Sequence, residues 1–141
     1  MRIWLARLFV FAVFSVNVYC AFSFILFPEL YLGPYELSGV AGTAALQGIG
    51  VTFLMWNITY PVVFVNPTRH RTVYVIVLVQ QIVGLVGESI ILAMMPGGHQ
   101  VLAGSILRFI VFDASGLVLL IVGFIITRKL ATGKPITRKR R

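Results

Sequence analysis

The sequence predicts an all-α integral membrane protein: a four-helix bundle with antiparallel neighbours and both ends in the cytoplasm. Three observations carry that expectation. Of 141 residues, 59% are hydrophobic and only 11% are charged, against roughly 25% charged in a soluble chain, and the mean hydropathy is +0.96. Four stretches reach the length of about 20 apolar residues that a helix needs to cross a bilayer core. The basic residues fall on alternate connections between those stretches, as the positive-inside rule requires of a multi-pass protein.

The stretches divide residues 1–130 into helices at about 3–27, 40–65, 73–95 and 101–127, with a basic tail over 131–141. The first begins at Ile3 after Arg2 and runs to Phe27. Its opening is similar to the positive region of a secretory signal. The apolar run is too long for one, however, and it ends in Phe27-Pro28-Glu29 rather than at a small-residue cleavage site, so a retained helix is expected. The second stretch is interrupted only by Asn57 and Pro61. Proline has no N–H and takes a donor from the carbonyl four residues earlier, here that of Asn57. Pro28 with Gly33-Pro34, then Asn66-Pro67, then Pro96-Gly97-Gly98 supply the turn chemistry between stretches. Short connections make neighbouring helices antiparallel.

Eleven of the twelve Lys and Arg residues mark one side: Arg2, Arg7, Arg69, Arg71 and the seven from Arg128 onward. Within the tail, Arg128, Lys129, Arg138, Lys139, Arg140 and Arg141 form an expected membrane-surface anchor, since cationic side chains next to a span are drawn to anionic headgroups. The other two connections hold Glu29, Glu36 and His99 but no Lys or Arg. The basic side is therefore cytoplasmic, and the expected location is the cell membrane. Charge placed this way argues against nucleic-acid binding, despite a net charge of +8. Trp4, Tyr31, Tyr35, Tyr60 and Tyr74 lie near the predicted span ends, where an interfacial aromatic belt is expected.

Ionisable groups inside a bilayer are costly and are paired or functional. Three fall there: Glu88, Arg108 and Asp113. Glu88 precedes Gly98 by ten residues and Arg108 follows it by ten, so both are expected at one depth and as an ion pair. Asp113 lies deeper, about 7.5 Å further along the same helix. Asn57, Gln81 and Gln47, with Asn17 and Gln80, are its expected polar company; equal spacing about Arg69 sets Asn57 opposite Gln81. This cluster either locks the bundle, builds a substrate, proton or quinone site, or meets a partner subunit. Small residues suggest close helix approach: Ala41, Ala45, Gly48 and Thr52 on one face of the second stretch, Gly84 with Gly87, and Gly104 one turn before Arg108.

No enzyme is expected. The lone cysteine, Cys20, rules out an internal disulfide, a Cys-x-x-Cys redox pair and an iron–sulfur ligand set. His70 and His99 fall on opposite sides of the membrane and cannot share a metal or haem. No phosphate-binding loop or nucleophile–His–acid set is found, and no cofactor is expected.

Phe27-Pro28-Glu29 after the first helix, the Gly- and Ala-rich start of the second and the hydrophobic hairpin behind it resemble the small four-helix proteins called DoxX-like. Leu54-Met55-Trp56-Asn57, Asn66-Pro67-Thr68-Arg69-His70-Arg71 and Gly84-Leu85-Val86-Gly87-Glu88 look like fixed motifs of a branch of that layout. The chain also resembles the small accessory subunits of large bacterial electron-transfer complexes, such as alternative complex III. That second resemblance implies a non-catalytic subunit without a redox centre, which packs against and stabilises a larger respiratory or photosynthetic complex, its partners being membrane lipids and the host's subunits. A small proton-coupled transporter is the alternative, and a quinone- or lipid-binding protein a third.

The topology is open to direct test. Cysteine introduced at Glu36 or His99 is expected to react with an impermeant maleimide added outside intact cells, and cysteine at Thr132 is not. Outside labelling at Thr132 overturns the orientation.

Overall fold

The structure, a computed structural model, describes residues 2–132, with side chains described through Arg128. These residues form α1 (Arg2–Leu26), α2 (Glu29–Leu32), α3 (Gly39–Asn57), α4 (Tyr60–Val65), α5 (Arg71–Met94) and α6 (Gln100–Thr132). Four helical segments are long and apolar enough to cross a membrane, the second being α3 and α4 taken together. At about 1.5 Å per residue, the 33-residue α6 is about 50 Å long, well beyond a hydrocarbon core of about 30 Å. The side chain of Lys129 and all of Arg138, Lys139, Arg140 and Arg141 lie outside the described residues.

The second stretch is not one helix. It stops at Asn57 and restarts at Tyr60, with Pro61 in the first turn of α4. The missing proline donor makes this the cheapest place to interrupt the ladder. Side chains satisfy groups around the break: Asn57 Nδ2 donates to the Phe53 carbonyl (2.8 Å), and Thr59 Oγ1 donates to the Trp56 carbonyl across it (3.4 Å) and to Gln80 Oε1 on α5 (3.1 Å). After α4, the Asn66 carboxamide oxygen accepts from Thr68 Oγ1 and Arg69 N. That Asx-type turn redirects the chain into α5. Gly98 takes φ +101° in the turn before α6, a conformation that L side chains rarely adopt.

α1 is the hub. It packs against α3, α4 and α6, while α5 packs against α6 and α4. α3 and α5 do not pack closely on each other. The core has two layers. At one end Phe24 meets Tyr31, Tyr35, Phe53 and Phe109, with ring centroids 4.7–6.1 Å apart. Towards the other end Val10, Val13, Tyr60, Val63, Tyr74, Val77 and Leu120 form a fully or nearly fully buried cluster. Tyr60 and Tyr74 are thus core residues and not members of an interfacial belt. Both have 0% exposure, and Tyr74 donates its hydroxyl to the Leu120 carbonyl (3.0 Å). Trp4 remains exposed.

Of the expected close helix approaches, Gly84 is tight, against Asp113, and the others differ. Ala41, Ala45, Gly48 and Thr52 face outward, and a Cβ on Gly48 would meet nothing within 4 Å. The buried face of α3 runs through Gly42, Leu46, Gly50 and Asn57. At Gly50 an added Cβ would lie 2.7 Å from the Ala21 carbonyl oxygen of α1. Gly87 and Gly104 likewise face open space. On α6 the close approaches are to α5, at Gly116 against Gln81 Nε2 (3.2 Å) and at Gly123 against the Tyr74 hydroxyl, with Val13 and Ala6 of α1 at ordinary contact distance.

At the end carrying Glu36 and His99, the 33–38 turn is tied to the start of α6. Glu36, at φ +52°, accepts from the Leu102 amide (3.2 Å) and pairs with His99 Nδ1 (2.5 Å), and Ser105 Oγ donates to the Pro34 carbonyl (2.7 Å). The Glu36 carboxylate thereby satisfies one of the unpaired donors of a helix N-terminus. The His99 hydrogen bond, and then the Leu102 amide, hold its carboxyl below the usual value of 4.5. A lowered value means the tie is complete above the ordinary carboxyl range and is lost as pH falls through the lowered one.

A matched pair tests the α1–α3 contact. Gly50→Ala is expected to cost about 1–3 kcal/mol because α1 backbone must move. Gly48→Ala, on the open face, is expected to stabilise by about 0.5–1 kcal/mol. Thermal unfolding of both variants in detergent distinguishes them, and equal shifts would remove the contact from consideration.

Candidate functional site

Each long helix places one polar side chain at the level of the α3–α4 break: Asn17 on α1, Asn57 on α3, Gln81 on α5 and Asp113 on α6. Asn17 Nδ2 donates to Asn57 Oδ1 (3.1 Å). Tyr60 donates its hydroxyl to Gln81 Oε1 (3.0 Å), and Gln81 Nε2 donates to Asp113 Oδ1 (2.9 Å) and to its backbone carbonyl (3.3 Å). Gln81 is 4% exposed and Asn57 also 4%. These bonds are the ones that make burial of the amides affordable, since an unpaired buried polar group costs about 1–3 kcal/mol.

Around them lies a cavity of about 250 Å³ whose walls include Asn17, Asn57, Gln81, Glu88 and Asp113, with Phe53, Trp56 and Phe109 as the aromatic sides. The cavity exists because α3 and α5 stand apart. Gly84 helps to shape it: a Cβ there would come 2.7 Å from Asp113 Oδ2, so the carboxyl occupies space that any other residue would fill. Glu88 Oε2 is enclosed and has no hydrogen-bond partner. A second, apolar groove of about 500 Å³ runs along the outside of the same gap, between Thr52, Met55 and Trp56 on α3 and Val75, Ile76, Val79, Gln80 and Val83 on α5. Trp56 and Val83 border both spaces, so the apolar groove and the polar cavity adjoin along the α3–α5 gap and are together called the recess.

The expected Glu88–Arg108 ion pair is not formed. His99 pairs with Glu36, and no Arg108 nitrogen comes within 4.0 Å of a Glu88 oxygen. Equal spacing from the turn fixes depth but not direction. Glu88 faces the recess, whereas Arg108 is exposed on α6 and reaches back one turn to donate to Ser105 Oγ (2.9 Å). Helical side chains lean towards the N-terminus, and a long cationic one in a membrane extends towards the nearer interface. Gln47 also stands apart from the cluster; it is exposed and donates to the Ile25 carbonyl (3.2 Å). Asn57 and Gln81 border the same cavity, as the spacing about Arg69 implies, without bonding each other.

Two participants were not singled out by sequence. Trp56 was noted only within a motif, and Tyr60 was read as interfacial. Pro61 beside Asn57 was the available signal for both, because a helix break inside a span exposes backbone and side chains to whatever lies alongside.

Among the described residues no group of three or more His, Cys, Asp or Glu is arranged to hold a metal ion. No protein-family model, curated protein or solved structure matches this chain.

Proposed function

We propose that this is a non-catalytic multi-pass protein of the cell membrane, with antiparallel helices and cytoplasmic ends, that takes an amphiphilic ligand from the bilayer into the α3–α5 recess. The observation that supports this reading is the shape of the recess. An apolar groove along the outside of the α3–α5 gap adjoins, across Trp56 and Val83, a cavity lined by amides and carboxyls. Binding sites are concave and mostly apolar with a few convergent polar groups. A molecule with an apolar chain and a small polar head has the matching form.

Trp56 reports on occupancy. The chain has two tryptophans, so Trp4→Phe leaves Trp56 as the single indole. In nanodiscs, a bromine-bearing single-chain amphiphile is expected to quench its fluorescence saturably. Val83→Phe, which narrows the mouth from an exposed position, is expected to weaken the saturable component. Quenching that is linear in probe, and the same in both proteins, rules the recess out as a binding site.

A second reading, the accessory subunit of a larger membrane complex, is favoured by Arg108. It is exposed on α6 within a candidate span, with Ser105 as its hydrogen-bond partner. An acidic residue on a partner helix would offset the cost of a cation at that depth. Gentle extraction followed by native mass spectrometry is expected to find the chain in a larger assembly, and Arg108→Leu to reduce the bound fraction. Migration as a free monomer in both cases sinks this reading.

A further inference from the structure

We infer that the occupant of the recess is an organic cation with an apolar chain, an ammonium group lying between Glu88 and Asp113. This rests on the recess reading above and adds the charge of the ligand to it.

The inner end of the recess has acceptor oxygen in excess. Gln81 is fully used, its oxygen by Tyr60 and its amide hydrogens by Asp113. Asp113 uses Oδ1 in that contact, and its Oδ2 accepts no hydrogen bond. Glu88 Oε2 is enclosed and has no partner. Two carboxyl groups therefore border one cavity, and among the described residues neither has a Lys or Arg nitrogen within 4.0 Å. Arg108, the nearest basic residue along α6, is turned outward to Ser105. Arg7 is held at the far end of α1 by the Val65 carbonyl and the Trp4 ring, and Arg71 lies over Phe124.

A charge in such a place is stabilised by an opposite charge brought to it. The walls point to an organic cation. Trp56, Phe53 and Phe109 offer aromatic faces, which attract ammonium groups, and the cavity of about 250 Å³ is far roomier than the close shell of oxygens that a bare metal ion needs. The apolar groove of about 500 Å³ accommodates the chain. A zwitterionic phospholipid fits poorly, because its phosphate would follow its ammonium towards two carboxyls. A neutral quinone gains nothing from them.

The test compares two probes of equal chain length, 11-bromoundecylammonium and 11-bromoundecanol, by quenching of Trp56 in the full chain carrying Trp4→Phe. Nanodiscs of phosphatidylcholine are used, with each affinity expressed per mole of lipid so that partitioning cancels. The cation is expected to bind about tenfold or more tightly than the alcohol. Glu88→Gln with Asp113→Asn is expected to remove that preference while leaving the alcohol unaffected. Should the double variant fold poorly, Glu88→Gln alone serves, since Glu88 Oε2 makes no hydrogen bond that the change would break; it is expected to reduce the preference by severalfold. Arg108→Leu is expected to leave it unchanged. Equal saturable binding of both probes, or a preference that survives the carboxyl changes, overturns the cation and leaves the recess standing. Saturable binding of neither probe overturns the recess itself. Tighter binding of phosphatidylethanolamine than of the alkylammonium, read by displacement of the probe, makes the occupant a lipid headgroup and overturns the exclusion of phosphate.

Discussion

Close packing through glycine sets the rest of the arrangement. Gly50 of α3 meets the Ala21 carbonyl of α1, while Gly116 and Gly123 of α6 admit Gln81 and Tyr74 of α5 and also touch Val13 and Ala6 of α1. In a bilayer no hydrophobic force drives helices together, so small residues that allow backbones to approach supply much of the association. With α3 and α6 both held against α1, the remaining long helix, α5, takes its contacts from α6 and α4. It cannot also reach α3. The gap between α3 and α5 is thus a product of what α1 holds.

The same arrangement determines how polar groups are accommodated. The α3–α4 break, the amides of Asn17, Asn57 and Gln81 and the Asp113 carboxyl lie at one level and satisfy one another by side-chain hydrogen bonds. The two ends are handled otherwise. Glu36 and His99 tie the turn before α3 to the start of α6, and Arg7 ties the start of α1 to the end of α4. Two enclosed atoms are left without a partner among the described residues, Arg7 Nε and Glu88 Oε2.

The helical segments were legible because hydropathy over about 20 residues is a strong signal, and Pro61 marked the break. Asn57 and Gln81 were legible as neighbours in depth, since residue counting from a turn measures rise along a helix. Direction was not legible. Glu88 and Arg108 share a level but face different ways, and Gly48 and Gly50 differ by about 200° around α3 at 100° per residue. Tyr60 and Tyr74 show the third difficulty. An aromatic with a hydroxyl suits an interface and also suits a core that offers an acceptor, and only the position of the Gln81 and Leu120 oxygens decides between them. The recess itself was out of reach, because it depends on two helices that do not pack closely on each other.

An opening in the side of a membrane bundle has a consequence for how it equilibrates. A guest entering between α3 and α5 arrives by diffusion within the leaflet, so its effective concentration is its mole fraction among lipids. Each methylene that raises partitioning by about 0.8 kcal/mol raises that local supply before any protein contact is made. Diluting the surrounding water would barely empty such a site. Changing the chain length, packing or surface charge of the bilayer would alter its occupancy with every residue left as it is.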